Sequence, residues 1–189
     1  NRALTTQTLL ETTPIEPADR EAIARRYNFL TGDLPEISLP PEWQTGMQRD
    51  FWVINTDKPA TIAVTAEAVF IGEHFVAWVQ TGSYHPVSSE IMHQFNQFDQ
   101  EIYPELRSVF GEEQSPGIDH DMRIHALFTS EAGTGILGYF SSRDEDHPSV
   151  SPHSNAMEMF ILDAAMLNGD PRQVTNTLAH EFQHMIHYA

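Results

Sequence analysis

The chain has 189 residues, 40% of them hydrophobic and 20% charged, which predicts a folded domain, or a domain with a small appendage, rather than a disordered chain. A formal net charge of −17 repels phosphate backbones and anionic lipid, so nucleic acid is not an expected partner. The chain contains no cysteine, which excludes disulfides, thiolate metal ligands and a cysteine nucleophile, and it has no apolar run as long as a membrane span.

The first 45 residues predict an N-terminal arm, a helix and a proline-rich linker. Residues 1–17 are rich in Thr, Glu and Pro, which favours an extended arm. Residues 18–29 have a helix-forming composition with a thin apolar stripe. Residues 31–45 contain three prolines and therefore predict a loop, because proline removes a main-chain donor.

Residues 46–85 predict a small antiparallel β region. Runs of β-branched and aromatic residues alternate there with turn residues such as Asp57 and Gly72. The predicted strands are Phe51–Asn55, Thr61–Thr65, Ala68–Ile71 and His74–Val79.

Residues 86–189 predict a larger unit with helices and strands. Between residues 88 and 110 apolar side chains recur at helical spacing, and Pro104 is expected to kink or split this helix. Strands are expected at Arg123–Thr129, Gly135–Phe140 and Met157–Leu162, the last of them buried.

The final helix has clear start signals. Asp170 is a suitable N-cap, and Pro171 fits the first helical position. An apolar side chain recurs at every fourth position along it and predicts the buried stripe, formed by Val174, Leu178, Phe182 and Ile186.

This helix also carries the motif HExxH, formed by His180, Glu181 and His184. Two histidines four residues apart lie on one face of a helix, close enough to bind one zinc ion. A glutamate beside the first histidine can reach a water on that metal and act as a general base. We therefore predict His180 and His184 as metal ligands and Glu181 as the catalytic residue.

A catalytic zinc site needs a third protein ligand. His187 lies on the same face, but at 1.5 Å per residue it is about 10 Å along the axis from His180, which favours a role in lining the cleft. Only five residues follow His184, so we expect the chain to be an incomplete piece, with the third ligand and the oxyanion stabiliser beyond Ala189. The sequence does not predict whether this piece is active by itself.

Two other HExxH chemistries are excluded by the residues present. The metzincin pattern requires glycine where this chain has His187, and peptide deformylases use a cysteine ligand. A gluzincin site, with a glutamate ligand from a later helix, and a variant with an aspartate ligand both remain.

The segment Thr177–His187 resembles the active-site helix of hyicolysin-like neutral zinc metallopeptidases. The segments Gly138–Ser142 and Ser154–Phe160 resemble the stretches that precede this helix in secreted bacterial relatives, and Gln48–Val53 fits their β-rich N-terminal region. The resemblance implies a gluzincin endopeptidase that is secreted or located at the cell surface. It also implies that His180 and His184 bind zinc and that Glu181 is the general base.

The predicted fold class is α+β, with a β-rich N-terminal portion followed by the upper sheet and active-site helix of a zincin-like catalytic domain. The predicted domains are residues 1–45, 46–85 and 86–189. The expected reaction is hydrolysis of peptide or protein substrates, and the segment Met157–Leu162 is either ordinary core or a strand that pairs with extended substrate. The alternative function is a non-catalytic binding or assembly fragment, whose metal site is vestigial or is completed by another chain.

Calcium is a second possible metal. The two candidate loops are Asp119–Asp121 and Asp144–Asp146, although neither matches an EF-hand and solvated loops are the more common role for such residues. His125, predicted on a strand, is expected to be a core or surface histidine rather than a ligand. The sequence does not predict the oligomeric state.

Overall fold

The computed structural model describes residues 19–82 and 86–189, and it divides the chain into two compact units, residues 1–32 and 33–189. The arm predicted for residues 1–17 lies outside the described residues. The predicted division of the chain at residues 45 and 85 stays a prediction.

The described part of the first unit contains one short helix, α1 (Arg20–Arg26). The side chain of Asp19 accepts a hydrogen bond from the main-chain N–H of Ala22 and so caps the helix start. After the C-cap at Tyr27, Asn28 adopts a positive φ of 60°, which ends the helix. The helix predicted for residues 18–29 is therefore confirmed with shorter bounds.

The described part of the second unit combines one six-stranded sheet with three longer helices, which confirms the predicted α+β class. Its strands are β1 (Gln48–Asn55), β2 (Ala60–Ile71), β3 (Phe75–Gln80), β4 (Ile124–Thr129), β5 (Gly138–Phe140) and β6 (Met159–Asp163). Its helices are α2 (Ser89–Gln97), a π-helical segment (Phe98–Ile102), α3 (Tyr103–Phe110), two 3₁₀ turns (Ser142–Glu145 and Ala164–Asn168) and α4 (Pro171–Tyr188).

The strand order across the sheet is β1-β2-β3-β4-β6-β5. β1, β2 and β3 pair antiparallel through hairpins, while β3, β4 and β6 run parallel. β5 pairs antiparallel with β6 and forms an edge of the sheet. The predicted antiparallel strands are thus present, although β2 is one continuous strand where the sequence predicted Thr61–Thr65 and Ala68–Ile71 separately.

The interpretation of Met157–Leu162 as a strand that pairs with substrate is wrong. β6, which covers most of this segment, is hydrogen-bonded on one side to β4 and on the other to β5. Its main-chain donors and acceptors are therefore already used within the sheet. Among the described strands, the neighbouring β5 forms the outer edge of the sheet instead.

The connection between β3 and β4 contains α2, the π-helical segment and α3. The regular helix is interrupted near Pro104, as the sequence predicts, and the interruption is the π-helical segment Phe98–Ile102. Pro104 itself is the second residue of α3, which directly follows the π-helical segment, so its missing N–H removes a helical hydrogen bond at the point where the helix changes form.

Alternating side chains of the central strands pack on two different faces of the sheet. On β4, Ala126 and Phe128 face the core shared with α2, α3 and α4, while Leu127 faces a second core that includes Trp43 and Trp78. Because both faces are covered, every residue of β4 is buried.

Helix α4 begins where the sequence predicts. The side chain of Asp170 accepts a hydrogen bond from the main-chain N–H of Arg172, and Pro171 is the first helical residue. All four residues of the predicted stripe are buried: Val174, Leu178, Phe182 and Ile186. No helix within residues 19–82 and 86–189 combines the length and apolarity needed to cross a bilayer.

Candidate metal centre

The position of α4 is fixed by aromatic packing on its buried side. The ring of Phe182 stacks on Tyr103 of α3 with centroids 4.8 Å apart. It also makes ring contacts with Phe98 and Phe160, at 6.2 Å and 6.4 Å. Aromatic contacts of this kind are directional, so they set the rotation of the helix about its axis as well as its distance from the sheet.

With that rotation, His180 and His184 project from the exposed side of α4. Their rings are nearly perpendicular, with centroids 4.7 Å apart. The two Nε2 atoms face each other at 3.1 Å. The structure therefore brings together the two nitrogen donors that the motif predicts.

The separation of the two nitrogens fits a shared zinc ion. Two histidine nitrogens bound to one tetrahedral zinc at about 2.0–2.1 Å are about 3.3 Å apart, close to the distance between these Nε2 atoms. Within the described part of the chain, no group of three histidine, aspartate or glutamate side chains is arranged to hold a metal ion. His180 and His184 thus offer two nitrogen donors at a spacing that fits zinc, and the described residues offer no third candidate ligand.

Glu181, which follows His180 in the motif, is buried, with 5% of its surface exposed. Burial raises the pKa of this carboxyl group, because removal from water disfavours its charged form. The nearby His180 and His184 oppose this change, and so does a hydrogen bond from the main-chain N–H of Phe140. Glu181 thus lies between the two histidines and the edge strand β5.

An open cleft of about 770 Å³ lies in front of these residues. The exposed side of α4 forms one wall, and β5 with the first residues after it forms the other. The cleft residues are Gly138, Tyr139, Phe140, Ser141, Ser142, His180, Glu181, His184, His187 and Tyr188. A second cavity of about 510 Å³ borders the same site on the far side of Gly138.

His187 lines the cleft one turn beyond His184. Its ring contacts Phe110 of α3 edge to face, with centroids 6.0 Å apart. His187 belongs to no three-residue metal-binding group in the described structure. This position agrees with the prediction that it lines the cleft.

The side chains of the two predicted calcium loops interact with protein groups. Asp121 accepts hydrogen bonds from Arg123 and from the indole N–H of Trp43. Asp144 accepts hydrogen bonds from the main chain and side chain of Asn155. Neither loop forms a set of three candidate ligands among the described residues.

His125 is a fully buried core residue, as the sequence favours. Its Nδ1 accepts a hydrogen bond from the indole N–H of Trp78 at 3.0 Å. Burial lowers its pKa to about 3, although the nearby Asp121 opposes this effect. The ring is therefore neutral at physiological pH and stabilises the second core rather than a metal.

Gly138 and Phe140 lie against the HExxH motif and were not predicted as site residues. The sequence offers one signal for both residues, because they lie in the segment Gly138–Ser142, which resembles a stretch that precedes the active-site helix in the metallopeptidases named above. Their contact with Glu181 results from the strand order, which brings β5 beside α4. Spacing within one helix cannot predict such a contact.

No family model matches the sequence. The chain is similar to the neutral metalloprotease ShpI of Staphylococcus hyicus, with 28% identity over 152 residues. The match covers 73% of this chain and 33% of ShpI, so the chain spans about a third of the length of that relative. The comparison supports a distant, metalloprotease-like relationship.

Proposed function

We propose that this chain contributes part of the active site of a zinc-dependent endopeptidase. One observation carries the proposal. The Nε2 atoms of His180 and His184 lie 3.1 Å apart, and the buried carboxyl group of Glu181 lies beside them in an open cleft. The distant similarity to a neutral metalloprotease points to the same class of enzyme. A secreted or cell-surface location is part of this proposal and rests on the family resemblance.

In the proposed reaction each residue of the motif has a separate role. His180 and His184 would hold zinc through Nε2, and the metal would polarise the scissile carbonyl and make water more acidic. Glu181 accepts the proton of the attacking water and then donates it to the nitrogen of the leaving amine. Burial raises the pKa of Glu181, which makes its carboxylate a stronger base than an exposed one.

The free edge of β5 is the proposed binding site for extended substrate. The carbonyl of Leu137 accepts a hydrogen bond from the N–H of Asp163, so the polar groups of this residue face β6. Neighbouring residues of a strand point their main-chain polar groups in opposite directions, so the N–H and C=O of Gly138 face away from β6, toward the outer edge of the sheet. A peptide in the cleft can therefore add to the sheet as a further strand.

The proposal is tested by measuring hydrolysis of a fluorogenic peptide by the full-length protein. Chelation should abolish hydrolysis, zinc should restore it, and His180→Ala should prevent the restoration. His93→Ala is the matched control, since His93 is an exposed histidine on α2, outside the cleft. Hydrolysis that survives both chelation and His180→Ala contradicts the proposal.

The second candidate is a non-catalytic assembly role, in which zinc bridges two copies of the chain. It is favoured by one observation, the lack of a third ligand among the described residues. Zinc content and mass in solution, with and without chelator, separate the two. Half a zinc per chain in dimers that dissociate on chelation supports bridging, whereas one zinc per chain in a monomer supports the peptidase site.

A further inference from the structure

Gly138, the first residue of β5, lies in very close contact with the helix that carries the HExxH motif. A β-carbon at this position would lie 3.0 Å from Cγ2 of Thr177 and 3.4 Å from Oε1 of Glu181, both on α4. It would also lie 3.3 Å from the main-chain oxygen of Ile161 on β6. A side chain here would therefore be wedged between the sheet and the helix.

The need for glycine at this position comes from space and not from backbone conformation. Gly138 has no positive φ, unlike Gly135 three residues earlier, whose φ is 77° and whose β-carbon would meet open space. Alanine can thus adopt the backbone angles of residue 138 without strain. Its β-carbon fits the gap only if the neighbouring atoms, above all Cγ2 of Thr177, shift by a few tenths of an ångström.

The close approach determines how Glu181 is held. Two residues after Gly138, the main-chain N–H of Phe140 donates a hydrogen bond to the Glu181 carboxylate. Because β5 has only three residues, it has little length over which to absorb a shift at Gly138 before Phe140 moves as well.

We propose that Gly138 is a positioning residue for the general base: its missing side chain allows β5 to approach α4 closely enough for Phe140 to orient Glu181. The expected effect on catalysis rests on the proposed peptidase function. The expected effect on the position of Glu181 does not, because it concerns only contacts within this chain. Gly138 acts through Glu181 and supplies no chemical group to the reaction.

The direct test is Gly138→Ala in the full-length protein. We expect kcat to fall on the order of tenfold, because small displacements of a catalytic group are costly. KM should stay within about twofold, because the main-chain groups of residue 138 that face the substrate are retained. Gly169→Ala is the matched control, because a β-carbon there would make only ordinary contacts, the nearest at 3.6 Å, and its kcat should equal that of the wild type.

A second-site variant separates this steric mechanism from general damage. Thr177→Ala removes the atom closest to the added methyl group, so the double variant Gly138→Ala/Thr177→Ala should recover most of the lost kcat. Thr177→Ala alone should leave kcat close to the wild-type value. A double variant that is as slow as Gly138→Ala would overturn the proposal, and so would Gly138→Ala with the kcat of the wild type.

A spectroscopic measurement on this chain tests the structural part without any activity. The amide proton of Phe140 should resonate downfield in the wild type, as expected for a donor to a carboxylate, and should move upfield in Glu181→Gln. It should also move upfield in Gly138→Ala and return in the double variant. An unchanged Phe140 resonance in Gly138→Ala overturns the proposal.

The two kinds of failure remain distinguishable. If the wild-type protein shows no zinc-dependent hydrolysis, the proposed function fails, while the Phe140 resonance still decides whether Gly138 positions Glu181. If Gly138→Ala does not fold, the steric mechanism is tested in the double variant. A Phe140 resonance at the wild-type position in the double variant supports the mechanism, and a resonance moved upfield contradicts it.

Discussion

Glu158 shows what burial does to a single ionisable residue in this protein. It lies immediately before β6 with 2% of its surface exposed, and its Oε1 accepts a hydrogen bond from the N–H of Ile118. Burial raises the pKa of Glu158 to about 7, and the nearby negative charges of Asp119 and Glu113 add to the effect. The folded protein thus keeps a proton on Glu158 that the unfolded chain, with an ordinary pKa of 4.5, releases at lower pH.

This difference predicts a pH-dependent stability. Between about pH 4.5 and pH 7 the folded state binds more protons than the unfolded state, so the free energy of unfolding should fall as the pH rises. Glu158→Gln retains an acceptor for the N–H of Ile118 and cannot ionise. Over this pH window its free energy of unfolding should therefore fall less than that of the wild type, by a difference on the order of 1–3 kcal/mol.

Urea unfolding at several pH values measures this difference. Glu105→Gln, at an exposed position on α3, controls for the loss of one charge. Asp144, whose pKa burial raises to about 6, titrates in both proteins and cancels in the comparison. Equal pH dependence in Glu158→Gln and the wild type contradicts the prediction.

At the residue scale, the sequence predicts local geometry and misses contacts between distant segments. The proximity of His180 and His184 follows from helical spacing alone, and the structure brings them together. The hydrogen bond from Phe140 to Glu181 and the close approach of Gly138 depend on which strand lies at the sheet edge. Strand order is a property of the whole fold, so no spacing rule predicts it.

At the element scale, one carboxylate holds the hairpin between β2 and β3. Asp99, buried in the π-helical segment, accepts hydrogen bonds from the main-chain N–H groups of Glu73 and His74, at 3.0 Å and 2.8 Å. Gly72 lies against the same carboxylate, since a β-carbon there would be 2.3 Å from Asp99 Oδ1. The turn is thus fixed to the helical layer as well as to its own strands.

Removing that carboxylate should destabilise the fold. Asp99→Ala leaves two N–H groups in the turn without their acceptor, which should lower the free energy of unfolding by about 2–4 kcal/mol. Asp99→Asn retains one carbonyl oxygen and should lose less. Thermal or urea unfolding of both variants checks this prediction, and an alanine variant within about 0.5 kcal/mol of the wild type would refute it.

The strands illustrate why element bounds are harder to predict than element types. The sequence divides β2 into two strands, because Ala66 and Glu67 have low β-propensity. In the fold these residues pair with Arg49 and Gln48 of β1 on one side and with Gln80 and Val79 of β3 on the other. Pairing on both edges outweighs local preference, so the strand is continuous.

At the scale of the whole molecule, the net charge of −17 should oppose the compact state. Salt screens repulsion between exposed charges, with a Debye length of about 10 Å at 0.1 M. Raising sodium chloride from about 10 mM to about 150 mM should therefore increase the urea midpoint of unfolding. A lower midpoint at high salt would mean that ion pairs such as Arg107–Glu113 matter more than the overall repulsion.

The central claim is that Glu181 is the general base of a zinc-dependent peptidase. Its most direct test is the rate of peptide hydrolysis by full-length Glu181→Gln, with bound zinc measured in the same samples. The account predicts a fall of roughly 10²–10⁴-fold with zinc content unchanged, because His180 and His184 remain while the proton acceptor is lost. Hydrolysis at the wild-type rate by the zinc-loaded variant would contradict the account.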